Sequence, residues 1–452
     1  MRLRKTITTI VATAILLAGW QLFAVIANQP ELIPSLPRLV RTLCEWLVSG
    51  SFYQSVGATI LRGGLGMSIS FVCAIGMAGL FARFEWVYEL FRPLLAIMRS
   101  IPVISFILLA LIFLNPESIP LMIAFLTMFP LLTENLTRGI LDLRPGLSIM
   151  ARQFHIRRSN VLFQIIYPQL KPFLYSGLAS AAGFGWRAII MGEVLSQCAF
   201  GIGSEMKRAQ NFIAVPELLA WTIVAVFISF FFDKGISKVA DITPKISFAN
   251  EDQTIPTPTL SVLDTKDISY QYGIQHFSHS FQKGIIYGIS APSGKGKTTL
   301  LNLIGGILLP TEGEIHPTRH FGIATIFQQP QLLPHLTAEE NIILPLSSFL
   351  TEEKARRIAQ KHLQEMEMEP FGNRYPKELS YGQQQRIAIA RALAYPSPLL
   401  LMDEPFKGLD EALSHRIIER IREKQMKEER IILFTSHNPD EIRLLADEVI
   451  YL

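Results

Sequence analysis

Ala291-Pro292-Ser293-Gly294-Lys295-Gly296-Lys297-Thr298 is the stretch that decides the reading of this chain. Its spacing is A-x-x-x-x-G-K-T, one residue away from a full phosphate-binding loop because Ala291 stands where the first Gly is usual. An apolar run at 284–289 precedes it and the segment 299–304, Thr-Leu-Leu-Asn-Leu-Ile, follows. That is the strand, loop and helix order in which such a loop works. The backbone N–H groups of Ser293-Gly294-Lys295-Gly296, the turn that Pro292 opens, and the helix N-terminus at Lys297, Thr298 and Thr299 are expected to face phosphate oxygens. Lys297 should reach the outer phosphates and the Thr298 hydroxyl should bind Mg²⁺. Ala is tolerated at 291 wherever φ is negative.

Upstream of this loop the composition changes character. The 452 residues are 49% hydrophobic and only 18% charged, with a mean hydropathy of +0.31. This is too apolar for an ordinary soluble chain of that length. The excess lies in residues 6–240, whereas 260–452 has a globular mixture. The net charge of +4 gives no reason to expect a nucleic-acid partner. Cys44, Cys73 and Cys198 are scattered, with neither a disulfide framework nor a metal spacing.

Stretches long enough to cross a bilayer lie at 7–27, 56–82, 94–114, 118–138, 172–197 and 214–236. The first follows a basic start and competes with a signal peptide. It has no small-residue cleavage site, so a retained span is expected. Arg138, Arg144, Arg152, Arg157, Arg158 and Lys171 against Asp142 alone mark the loop between the fourth and fifth spans as cytoplasmic. Six spans then put both termini, and the phosphate-binding loop, on the cytoplasmic side. Arg62, Arg99, Glu134, Arg187 and Glu193 are the charges inside spans. Glu134 and Arg138 are spaced to pair, and Arg187 and Glu193 either line a polar path or pair within the bundle. Residues 243–259, TPKISFANEDQTIPTPT, have no periodicity and read as a linker with a reach of about 55 Å.

In the second half, Asp264 to Tyr272 reads as an opening strand. Tyr272 is placed either to stack on a base or to pack on the sheet. The run 399–402 ends in Asp403-Glu404, where one carboxylate can hold a metal ion and the next can orient a water. Beside these, Leu379-Ser380-Tyr381-Gly382-Gln383 resembles the signature motif of ATP-binding-cassette (ABC) proteins, with Tyr381 in place of the first Gly. Gln384-Gln385-Arg386 and the helical run 387–394 continue it. Gln328 resembles the Q-loop glutamine, Gly408-Leu409-Asp410 the D-loop, and His437, after a strand at 431–434, the switch histidine. The order of these motifs over 260–452 identifies that region with the family.

The resemblance implies an α/β P-loop ATPase that binds ATP and Mg²⁺. Two cassettes close head to tail, with ATP on one phosphate-binding loop meeting Ser380 and Gly382 of the other. It implies that Glu404 orients water, His437 contacts the γ-phosphate, Asp403 and Gln328 join Thr298 at the metal, and Gln383 and Asp410 belong to the closed site. One cassette per chain implies a homodimer. The cassette is expected to end soon after His437, without a regulatory extension.

The first half resembles importer permeases of the nitrate, sulfonate and taurine type. Arg99-Ser100-Ile101-Pro102-Val103 matches their membrane-entry motif, and Met191-Gly192-Glu193-Val194 with Gly201-Ile202-Gly203 fits a later region. The segment 149–168 has the spacing of the importer coupling motif: Ala151, Ile165 and Pro168 fit, whereas Ile149, Met150, His155 and Tyr167 depart. Its arginines either contact acidic residues of the cassette or only set topology. The expected organisation is multidomain: an all-α six-span permease at 1–242, a linker at 243–259 and a cytoplasmic ABC ATPase domain at 260–452. It implies a multi-pass protein of the bacterial cytoplasmic membrane that imports a small nutrient, such as nitrate, a sulfonate, taurine or a thiamine precursor. A separate extracytoplasmic binding protein would deliver it. An exporter half-transporter and a membrane-tethered regulatory ATPase are the alternatives. The short loop at 82–93 argues against an exporter, whose spans extend into the cytoplasm as long helices.

Overall fold

The computed structural model describes residues 2–240, 244–253, 260–271, 273–292, 294–317 and 322–452. Two compact units emerge, one of Met1–Leu143 with Gln169–Thr243, the other of Arg144–Pro168 with Pro244–Leu452.

The first unit is helical: α1 (Arg2–Ala27), α2 (Leu36–Trp46), α3 (Gly50–Arg83), α4 (Glu85–Ser100), α5 (Val103–Phe113) and α6 (Ile119–Leu141). The chain then passes through α7 (Pro145–Gln153) and α8 (Arg158–Asn160) of the second unit. After a π-helical turn (Val161–Ile166) it continues with α9 (Tyr167–Ser196), α10 (Ile202–Asn211) and α11 (Val215–Ala240). Four described helical stretches are long and apolar enough to cross a membrane: Gly50–Arg83, Pro116–Leu141, Arg158–Ser196 and Val215–Ala240. Val11–Ala27 is a shorter apolar helix.

The stretch expected as a span at 94–114 is not one straight helix. The chain bends by 94° between α4 and α5. Pro102 lacks an N–H and its ring forces the preceding Ile101 out of helical geometry, to ψ 129°. Small residues bring α3, α6 and α9 together. A Cβ on Gly66 would lie 2.5 Å from the Ala124 Cβ, and one on Gly177 3.0 Å from that of Asn135.

Of the two roles left open for Glu193, the structure shows pairing within the bundle. Glu193 is fully buried, and its carboxylate accepts from Arg62 (2.7 Å), the Thr59 hydroxyl (2.9 Å) and the Gly203 N–H (3.0 Å). Glu134 pairs with Arg138, as its spacing suggested, and also with Arg99.

The second unit contains two sheets. β1 (Val262–Tyr270), β2 (Ile274–Gln282) and β4 (Glu312–His316) form an antiparallel sheet in the order β2-β1-β4. The other sheet is parallel, in the order β5-β6-β7-β3-β8, from β3 (Ile286–Ser290), β5 (Ala324–Ile326), β6 (Leu399–Asp403), β7 (Ile431–Thr435) and β8 (Glu448–Tyr451). β3, β6 and β7 are almost wholly apolar and buried, as strands covered on both faces must be. The accompanying helices are α12 (Lys297–Ile304), α13 (Ala338–Leu346), α14 (Glu352–Glu365), α15 (Tyr381–Ala394), α16 (Glu411–Glu428) and α17 (Pro439–Leu445). Leu147, Met150, Ala151, Phe154 and Ile156, in and just after α7, are buried in the same core cluster as Ile326, Leu333, Ile389 and Leu393. The segment expected as a coupling motif therefore shares a core with the ATPase fold.

Candidate functional site

Ligands of open parallel sheets collect beyond the C-terminal ends of the strands. Here β3 ends at the phosphate-binding loop, β6 ends at Asp403, and β7 ends at Thr435, two residues before His437. Gly294 and Gly296 have φ of 81° and 91°, the left-handed geometry that turns backbone N–H groups into a concave nest. At Gly296, which N-caps α12, a Cβ would also lie 2.8 Å from the Gly273 carbonyl. Ala291 has no positive φ, so its methyl introduces no strain. The Lys297 ammonium donates to the Ala291 carbonyl at 2.7 Å and is buried across the loop. The Lys295 N–H donates to the Pro292 carbonyl, and Thr299 continues α12. Ser293 and Tyr272 lie outside the described residues.

Thr298 donates its hydroxyl to the Asp403 carboxylate (2.9 Å), which also accepts from the Thr435 hydroxyl (2.8 Å). Burial pushes the Asp403 carboxyl up, and the two hydroxyls only partly oppose it. The next residue, Glu404, has φ 48°, a strained value for a non-glycine. Its N–H is fastened to the Thr435 oxygen at 3.1 Å. Its side chain points to His437 (Nε2, 3.0 Å) and Lys407 (Nζ, 3.2 Å). Burial alone would raise the Glu404 pKa. The Lys407 hydrogen bond and charge, the Gln328 side chain and His437 outweigh that and hold it below the usual carboxylate value. Gln328, Glu404, Lys407, Ser436, His437, Asn438 and Glu441 line a cavity of about 520 Å³.

The expected metal ligands Thr298 and Asp403 are therefore in direct contact, and Gln328 reaches the same cluster through Glu404. Hydroxyl and carboxylate oxygens are the hard donors that Mg²⁺ prefers, with phosphate and water completing its shell.

The signature residues lie elsewhere. Ser380 caps α15, accepting from the Gln383 N–H while the Gln383 side chain accepts from the Ser380 N–H. Among the described residues no hydrogen bond joins Ser380, Gly382 or Gln383 to the phosphate-binding loop. A Cβ on Gly382 would lie 2.6 Å from the Gly408 carbonyl, so only Gly allows this approach to the D-loop. Asp410 caps α16, accepting from the Leu413 N–H (2.9 Å). Tyr381, the departure from the signature pattern, packs its ring on Gly408 and donates its hydroxyl to the Gln328 carbonyl at 2.8 Å.

Sequence reasoning did not find Lys407, Thr435 or Arg391. Arg391, fully buried on α15, donates to the carbonyls of Pro330 and Gln331 (both 2.8 Å) and lies over the Phe154 ring at 5.4 Å. Only the position of Lys407 beside the D-loop signalled it in advance. The arginines of the coupling segment form no ion pair with acidic cassette residues among the described residues. Arg157 donates to the Phe248 carbonyl, and Arg152 and Arg158 are exposed.

The ABC transporter family profile matches residues 274–407, and that of the binding-protein-dependent transport system inner membrane component matches 70–233. An uncharacterized ABC transporter ATP-binding protein of Methanocaldococcus jannaschii is 34% identical over 201 residues, covering 40% of this chain and 85% of that protein. A thiamine import ATP-binding protein of Yersinia pseudotuberculosis is 34% identical over 205 residues, covering 42% and 86%. An Fe(3+) ions import ATP-binding protein of Rhizobium etli is 35% identical over 189 residues, covering 40% and 54%. The chain spans about half the length of the first such relatives, 54% and 52%. A solved dimeric ATP-binding cassette bound to ADP and Pi is 32% identical, with a TM-score of 0.40, and covers 42% of this chain and 94% of that one. On the family profiles and on relatives matched over more than four-fifths of their length, the chain belongs to the ABC transporter family, with a permease-type region and an ATP-binding cassette in one polypeptide.

Proposed function

We propose that this chain is an ATP-driven importer in which a permease (1–242) and a cytoplasmic ATPase (260–452), joined at 243–259, work as a homodimer. The observation that carries the reading is the separation of two half-sites in one chain. Lys297, Thr298, Asp403, Glu404 and His437 gather at the C-terminal ends of β3, β6 and β7, whereas Ser380 bonds only within its own helix cap and no hydrogen bond among the described residues joins Ser380 or Gly382 to the phosphate-binding loop. A second copy, turned head to tail, would supply its signature residues to the γ-phosphate held by the first.

In that closed site the nest at Gly294–Gly296 and Lys297 bind the phosphates of ATP. Thr298 and Asp403, with Gln328, would hold Mg²⁺, which neutralises phosphate charge. Glu404, kept ionised by Lys407, Gln328 and His437, accepts a hydrogen bond from the attacking water and orients it. His437 reaches toward the γ-phosphate, and Tyr272, Pro292, Ser293, Lys295, Thr299, Gln383 and Asp410 complete the nucleotide contacts.

Placement in a bacterial cytoplasmic membrane, with both termini cytoplasmic and six crossings, follows if α1 crosses and α4 with α5 counts as one broken span. An extracytoplasmic binding protein would deliver the solute. The permease profile supports this partner, and relatives named for thiamine and Fe(3+) import support the direction of transport. The nitrate and sulfonate likeness of the permease remains part of the proposed substrate range.

Glu404→Gln should bind ATP yet lose at least about a hundredfold in turnover, as removal of a water-orienting group does. Lys297→Ala should weaken ATP binding instead. Turnover in lipid nanodiscs, read against nucleotide binding, separates the two, and undiminished turnover in Glu404→Gln refutes the assignment.

A further inference from the structure

Residues 244–253 have the composition of a linker and contain neither helix nor strand, yet they are bonded along both edges. On one edge is the end of the coupling segment. Asn160, 1% exposed, accepts the Ser247 N–H at 2.8 Å and donates to the Ser247 carbonyl at 2.8 Å. Gln164 donates to the Pro244 carbonyl at 3.0 Å, and the Arg157 guanidinium donates to the Phe248 carbonyl at 3.3 Å.

On the other edge is the connection from α13 to α14. The Ala249 N–H donates to the Ser347 carbonyl (3.0 Å) and the Gln253 N–H to the Phe349 carbonyl (2.8 Å). Asp252 accepts both the N–H (2.9 Å) and the hydroxyl (3.0 Å) of Thr351. Ser347 joins all three parts. Its hydroxyl accepts from Asn160 at 2.8 Å and donates to the Leu344 carbonyl, while its carbonyl takes the Ala249 N–H. Ile246 and Phe248 pack on the core that holds Phe154 and Leu346.

We propose that residues 244–253 are a strap that fastens the coupling segment (Arg157, Asn160, Gln164) to the cassette of its own chain. Asn160 is its positioning residue. Every bond of the strap uses main-chain groups of the segment or the single carboxylate of Asp252, so it holds without secondary structure of its own. A segment covalently joined to what it grips acts at high effective concentration, and modest bonds suffice. The proposal rests on the importer reading for its purpose, because a coupling segment must follow the cassette through each cycle. It does not rest on that reading for its geometry.

The test is hydrogen exchange of the full chain in lipid nanodiscs, with ATP turnover measured on the same samples. The amides of Ser247, Ala249, Gln253 and Thr351 are expected to exchange at least about tenfold more slowly than in a free peptide. Asn160→Ala should return Ser247 to near free-peptide exchange, while β6 and β7 keep their protection. If β6 and β7 also lose protection, that variant has lost its fold and Asp252→Ala decides. It removes an acceptor near the surface and should release Thr351 alone. Free-peptide exchange of the strap amides in the wild-type chain overturns the proposal, as does unchanged Ser247 protection in a folded Asn160→Ala. Retained strap protection in a chain that turns over no ATP refutes the ATPase reading and leaves the strap standing.

Discussion

Replacing Arg391 by Met separates what holds the Q-loop from what holds the cassette core. The guanidinium is fully buried, and no carboxylate lies against it. Burial alone pulls its pKa down to about 9, so it remains charged at neutral pH. It supplies one hydrogen bond each to the carbonyls of Pro330 and Gln331 and lies 5.4 Å from the Phe154 ring centroid. Two hydrogen bonds from a charged donor, at about 1.5–3 kcal/mol each, give about 3–6 kcal/mol of local fastening. Met fills most of the volume and removes a buried cation whose desolvation costs several kcal/mol. The global stability of the cassette should therefore change little, within about 1–2 kcal/mol, because the two effects oppose. The Q-loop amides at 328–332 should open at least about a hundredfold more readily, since 1.4 kcal/mol is a factor of ten. Arg391→Ala adds a cavity and should cost the core about a further 2–3 kcal/mol. Hydrogen exchange of the full chain in nanodiscs reads the local term, and denaturant unfolding followed by exchange in β6 and β7 reads the global one. All five tryptophans (Trp20, Trp46, Trp86, Trp186 and Trp221) lie in the first unit, so their emission serves as an internal control that should not move. Unchanged Q-loop exchange in Arg391→Met refutes the claim that Arg391 holds that loop.

In the first unit, Glu193→Ala takes an acceptor from Arg62, which keeps Glu117 and the Phe200 carbonyl, from the Thr59 hydroxyl, which keeps the Ser55 carbonyl, and from the Gly203 N–H. It should destabilise that unit by about 1–3 kcal/mol, read as a lower unfolding midpoint of tryptophan emission. His362 is buried among Lys361, Glu365, Lys424, Glu428 and Arg430. Burial first, and then the cations, push its pKa down to about 3 despite Glu365 at 2.7 Å. Below pH 6.5 the unfolded chain takes up a proton that the folded one refuses, so stability is lost as pH falls from 6.5 toward 3. The loss is about 2 kcal/mol by pH 5. His362→Gln should flatten that slope in cassette unfolding, and an unaltered slope assigns the acid sensitivity to other groups.

What the sequence made legible is chemistry carried by local spacing. The phosphate-binding loop, the strand ending in Asp403-Glu404 and the cap at Ser380 each need only a few consecutive residues, and each is found where its motif put it. What stayed open or unseen has the opposite property. Residues 94–114 are apolar throughout, and hydropathy is a scalar that says nothing about direction. The bend follows from the ring of Pro102 acting on one dihedral angle of Ile101. For Glu193 a path-lining and a pairing role both stayed open, because the donors to its carboxylate, Thr59 and Arg62, lie 134 and 131 residues away. Arg391 was overlooked because a charge inside a helix pattern reads as surface until the carbonyls it meets are known.

The linker is the most instructive of these cases. Its Pro, Thr and acidic composition reports correctly that residues 244–253 have no periodic apolar face and build no element of their own. That is a statement about side chains. The strap is made from main-chain N–H and C=O groups, which every segment carries whatever its composition. Their partners at Asn160, Ser347 and Phe349 lie 87 to 98 residues away. Low complexity therefore argues against a core and is silent on bonding. In a chain where permease and ATPase are fused, it is the segment between them whose reading most needs a structure.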